Sequence, residues 1–110
     1  MAPPPEIPEK GFYYHYKHDP NGPFNTYAYE VVGVGHHTEE DLPAEQKTMV
    51  IYRPLYESFV YKNGKMFDVR PLPMFMESVE KDGGRIPRFE KIEDPALLAK
   101  LEQIRDEMYP

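Results

Sequence analysis

Three arginines each share a dipeptide with proline, Arg53-Pro54, Arg70-Pro71 and Pro87-Arg88, and each adjoins an apolar run of strand character. A guanidinium is planar, permanently charged and carries its donors in a fixed fork. Held on a stiff backbone it suits a carboxylate, a phosphate or a partner chain. If the three gather where strand ends meet, they form an anion site. If each is matched by an internal acid such as Glu30, Asp68 or Glu77, or stacked on one of the nine tyrosines, they are architecture. Both readings stay open at the level of sequence.

His36-His37-Thr38-Glu39 is the second candidate. In an extended segment His37 and Glu39 project to the same side, an arrangement open to an acid/base pair or to two metal ligands. Only His15 and His18 could add nitrogen ligands, and no two histidines lie four apart on a helical pattern. The stretch reads as a solvent-facing loop in which Glu39 orients His37 or caps a turn.

Catalytic signatures are otherwise missing. There is no Gly-x-Ser-x-Gly, no phosphate-cradling glycine loop and no cysteine, and Gly33-Val34-Gly35 lacks the third glycine of a dinucleotide fingerprint. An enzyme, hydrolytic or metal-dependent, would have to be assembled from His37, Glu39, Tyr52 and the arginines. The sequence therefore points away from catalysis and indicates no cofactor.

The elements that must position these groups follow from pattern. A chain of 110 residues has room for one domain, and the absence of cysteine removes disulfides and thiolate metal sites. No apolar run nears the length of a membrane span, and no signal-peptide pattern opens the chain, so a cytoplasmic protein is expected. The net charge is −6, of which residues 1–10 carry −1 and residues 93–110 carry −3. Residues 11–92, with ten basic and twelve acidic side chains, are nearly balanced, which permits a local basic patch but no broad electrostatic footprint.

Residues 1–10, with Pro3, Pro4, Pro5 and Pro8, read as a flexible proline-rich leader. Strands are expected at 11–16, 27–34, 48–53, 67–70, 74–81 and 85–89. Asp19-Pro20-Asn21-Gly22-Pro23 and Asp82-Gly83-Gly84 make turns, Asn63-Gly64 a hairpin-like turn, and Gly33 and Gly35 a bend or bulge. The prolines after Arg53 and Arg70 cannot donate to a ladder, which places those strand ends at a terminus or an edge. After Asp94-Pro95, Leu97, Leu98, Leu101, Ile104 and Met108 recur at helical spacing over 93–110, and this stripe is expected to cover the rest of the domain. The fold class is mainly β, a small barrel or roll of about five short strands over 11–92, followed by one helix.

Six blocks carry a resemblance. Tyr14 to Lys17, Tyr29 to Val34, His37 to Glu39, Val50 to Tyr56, Val69 to Leu72 with Met74-Phe75, and Pro87 to Phe89 follow in order the pattern of a small bacterial family. The chain thus resembles domain of unknown function 1653, over about residues 12–89. The resemblance implies an SH3-like barrel with no established activity. Two departures stand out: the loop from Val60 to Met66 is longer than the pattern, and Asp68 occupies a position where a large apolar residue is expected. Buried and unpaired, such an aspartate would cost roughly several kcal/mol, so it must pair with an arginine or lie at the surface.

The expected function is a binding module that recognises a protein or peptide through Arg53, Arg70 and Arg88, with His37, Glu39 and Tyr52 alongside. The alternative is a single-stranded RNA-binding protein that stacks bases on tyrosines such as Tyr13, Tyr14, Tyr16, Tyr27 and Tyr29. The acidic total disfavours nucleic acid, and no membrane partner is indicated. The oligomeric state is left open.

Overall fold

The computed structural model describes residues 7–110, so most of the proline-rich leader lies outside the described residues. Five strands form an antiparallel sheet in the order β4-β3-β2-β1-β7: β1 (Gly11–His15), β2 (Ala28–His36), β3 (Thr48–Pro54), β4 (Asp68–Pro71) and β7 (Phe89–Lys91). A separate hairpin joins β5 (Ser78–Lys81) to β6 (Gly84–Pro87). The main sheet is open, with β4 and β7 as its two edges and cover on both faces, so the strands of the expected barrel or roll do not close into a ring.

Strand alternation sorts the side chains into two layers. On one face Tyr13, Val31, Val50, Tyr52 and Phe89 form an aromatic core with Leu72 and Phe75. After a first helical turn, α1 (Phe59–Lys62), a second, α2 (Leu72–Phe75), supplies those last two. On the other face Phe12, Ala28 and Leu55 meet Ile92 and Leu101, with Leu97, Leu98, Ile104 and Tyr109 around them. The terminal helix α3 (Pro95–Met108) therefore lies over the sheet, and Leu101 is fully buried beneath it. Asp94 stands at its N-cap and Pro95 in its first turn, as the sequence suggests, although the Asp94 side chain makes no capping hydrogen bond.

The register between β2 and β3 slips between Val31 and Gly33, where a bulge is expected. At Gly35 an added Cβ would lie 3.0 Å from Ile51 Cδ1, so the tip of that side chain would have to give by a few tenths of an ångström.

Two expected elements differ. The run from Met74 to Lys81 is no continuous strand: Leu72 and Phe75, three apart, share one helical face and both enter the aromatic core, with Pro73 tolerated in the first turn. Between β3 and β4 the Asn63-Gly64 pair does not make a tight hairpin. Ser58 accepts the Tyr61 N–H and caps α1, and Asn63 ends that helix with its amide on the Phe59 carbonyl at 2.8 Å. The Asp82-Gly83 turn does reverse the chain, with both residues at positive φ, 52° and 82°.

Candidate ligand-binding face

The three arginines separate onto the two faces. Arg53 lies opposite Glu30 in the β2–β3 ladder, on the side covered by α3. Its Nε and Nη2 reach Glu30 Oε1 at 2.9 and 2.8 Å, and the other Glu30 oxygen takes Arg105 Nη1 from α3 at 2.9 Å. The Tyr109 ring lies 4.1 Å from the Arg53 guanidinium carbon. Arg53 is thus engaged by an internal acid and an aromatic ring, the architectural arrangement.

Arg70 and Arg88 belong to the aromatic side. In β4 Arg70 lies opposite Val50 and Asp68 opposite Tyr52, so both share the face of Tyr52. Arg70 donates through Nε to the Tyr52 hydroxyl at 3.2 Å and lies 5.6 Å from the Phe89 ring centroid. Among the described residues no carboxylate pairs with it. Arg88, between β6 and β7, reaches Glu77 only at 3.4 Å, and the Glu77 side chain is 52% exposed. Its buried Nε has no hydrogen-bond partner.

His15 reports the resulting field. It lies opposite Phe89 in the β1–β7 ladder, packs edge-on against that ring at 5.1 Å, and faces Tyr27 at 5.6 Å. Burial lowers its pKa, and the charges of Arg70, Lys17 and Arg88 lower it further, to about 4. Burial is the larger cause of that neutrality, and the three cations nearby add to it. Tyr27 itself sits in left-handed backbone, φ 62°, with its carbonyl accepting the His15 N–H at 2.9 Å. A bulky residue in that conformation is strained by about 1–2 kcal/mol, and such strain persists only where the surroundings enforce it.

Asp68 completes the cluster. Burial pushes its carboxyl pKa up and the nearby Arg70 opposes that rise without forming an ion pair. It is half-buried and forms no ion pair among the described residues, so it meets neither of the two outcomes expected from the sequence, pairing with an arginine or lying at the surface. Beside it the hydroxyls of Tyr29 and Tyr56 hydrogen-bond at 2.7 Å, and burial raises both phenols. Tyr52 is 5% exposed, so it contributes a hydroxyl that orients Arg70 and no surface of its own.

His37 and Glu39 lie beyond the end of β2. The Glu39 N–H donates to His37 Nδ1 at 3.1 Å, a local turn, and no hydrogen bond or ion pair among the described residues joins either to an arginine. No group of three metal-ligating side chains occurs among the described residues. The tyrosines proposed as stacking platforms are largely used internally: Tyr13 is buried, and Tyr29 packs edge-on against Tyr52, Tyr56 and Phe89. A cavity of about 390 Å³ beside α2, lined by Glu45, Gln46, Pro71, Pro73 and Met74, contains neither arginine of the aromatic face.

Sequence reasoning named His15 only as a spare nitrogen ligand and Tyr27 only as a stacking platform, and placed neither beside the arginines. Their signal was parity, since His15 alternates in phase with Tyr13, but its partners come from β7 and from the turn before β2.

The family model described as "protein of unknown function (DUF1653)" matches residues 11–91. A crystal structure of a protein of that family from Bordetella bronchiseptica is similar at 27% identity and a TM-score of 0.56, over 76% of this chain and 86% of the other. No curated protein matches.

Proposed function

The chain belongs to the DUF1653 family of proteins of unknown function, and within it we propose a protein-recognition module whose Arg70–Arg88 face takes a carboxylate from a peptide or protein. The observation that carries this reading is the shortage of counter-charge: among the described residues Arg70 has no ion-paired acid, and Arg88 has only the exposed Glu77 at 3.4 Å. Arg70 has its Nε fixed by Tyr52, which aims the remaining donors without neutralising them. A buried, unpartnered Arg88 Nε is a donor in want of an acceptor.

A peptide acid fits better than a phosphate backbone. The chain carries −6 overall and would repel a polyanion, whereas a single carboxylate needs only the local field. Arg53 is excluded from the site by its pairing with Glu30, and His37 and Glu39 by their separate turn.

The test is a two-dimensional NMR titration of nitrogen-labelled protein with an N-acetyl tripeptide bearing a free C-terminal carboxylate, against the same peptide as its amide. Saturable shifts of the Arg70 and Arg88 Nε–H resonances with the acid alone are expected. Equal responses to both peptides, or none, remove the reading.

A further inference from the structure

We propose that the free edge of β4 pairs antiparallel with β4 of a second copy of this chain, so that Asp68 of each copy takes Arg70 of the other. The inference rests on the reading that Arg70 takes a protein carboxylate, and it names that carboxylate.

Backbone chemistry opens the edge. Pro71 has no N–H, so its pair with Met49 must be the kind that exchanges no hydrogen bonds. By alternation Asp68 and Arg70 direct their backbone groups to β3, and the N–H and C=O of Val69 point away from the sheet. β4 is an outer strand, so these groups face outward unpaired.

A second strand laid antiparallel about Val69 sets Val69 against Val69, Asp68 against Arg70 and Arg70 against Asp68. The sequence Asp68-Val69-Arg70 is its own complement under a two-fold axis. Three observations fit this occupant. Asp68 is half-buried and has no ion pair among the described residues. Arg70 spends only Nε on Tyr52. On the opposite face of the strand Val69 is 55% exposed and Phe67, next to β4, is 52% exposed, a short apolar strip that the two-fold would bring together. Edges are normally blunted by shortness, proline or charge; β4 is short and ends in Pro71, but its two charges meet with opposite sign under the two-fold axis. The strand is four residues long and its contact falls below the roughly 1,200 Å² of stable complexes, so the association is weak and concentration-dependent.

The experiment is sedimentation velocity over a wide range of concentration on the full chain, on Asp68→Arg, on Arg70→Asp, and on an equimolar mixture of the two variants. The wild type is expected to dimerise reversibly. Each variant alone opposes like charges at both positions and should self-associate at least about tenfold more weakly. The mixture should recover association, because each cation again meets an anion, and a folding defect would show no such rescue. A wild type that stays monomeric throughout, or a mixture no better than its components, overturns the proposal. A monomer that still shows acid-dependent peptide shifts at Arg70 and Arg88 would retain the peptide reading and discard the second copy. A rescued dimer without peptide shifts would do the reverse.

Discussion

Beneath α3, Glu30 binds Arg53 and Arg105 with separate oxygens, while across the same sheet Arg70 and Arg88 have, among the described residues, only one loose contact to a carboxylate, the 3.4 Å approach of Arg88 to Glu77. Both faces are built on the same strands, by the same alternation. What differs is the cover. A fourteen-residue helix and the Tyr109 that follows it bring a second cation, an aromatic ring and a buried leucine to that face, and Glu30 is consumed in holding the helix down. The short turn α2 brings only Leu72 and Phe75 over the opposite face, and the guanidiniums at its margin keep donors to spare. An arginine beside a proline is therefore no mark of a site in itself; its counter-charge decides.

Removing Glu30 is the strongest way to break this contrast. Glu30→Ala leaves Arg53 without an acid and Arg105 with only the exposed Asp106, and a loss of about 2–3 kcal/mol in urea unfolding is expected. A loss near zero would mean that this network is no more structural than the open face.

The acid limb of the stability profile tests the open face next. The unfolded chain protonates His15 near its ordinary 6.5, the folded chain only near 4, so in that window the unfolded state binds more protons. This contribution to stability is present above about pH 6.5 and is lost as pH falls toward about 4. Solvent screening at a half-exposed ring limits it to about 1–2 kcal/mol, and His15→Gln should flatten that slope. Saturation with the acetylated peptide acid should also raise the His15 pKa, read from its ring resonances, since a bound carboxylate offsets Arg70 and Arg88.

Arg70→Ala should cost about 1 kcal/mol, one part-buried hydrogen bond to Tyr52, and should abolish the peptide response. If it melts the protein as Glu30→Ala does, the two faces are alike and the site is architectural. The smallest effect is expected at Asp68. Because burial raises its pKa, the folded chain holds that proton more tightly, and ionisation weakens the fold as pH rises through the raised value. Asp68→Asn measured at high dilution near neutral pH should therefore stabilise by about 0.5 kcal/mol.

Much of the scaffold was legible. β1, β2, β3, the Asp82-Gly83 reversal, the bulge beside Gly33 and the helix after Pro95 all follow from local patterns that tertiary packing reinforces. The helical turn at Leu72–Phe75 was hidden because a four-residue apolar run carries no decisive period. The open sheet was hidden because closure depends on whether β4 meets β7, two strands far apart in the chain.

The sequence by itself determined which side chains share a face of each strand. Arg53 alternates out of phase with Val50 and Tyr52, and Asp68 in phase with Arg70, because pleating is local. Only the tertiary structure decided that Arg53 meets Glu30, that Arg70 meets Tyr52 without meeting an acid, and that His15 falls within reach of both Arg70 and Arg88. Those neighbours come from register between strands and from a helix that returns across the sheet. Counter-charge is a property of such nonlocal contacts, and no spacing along the chain encodes it.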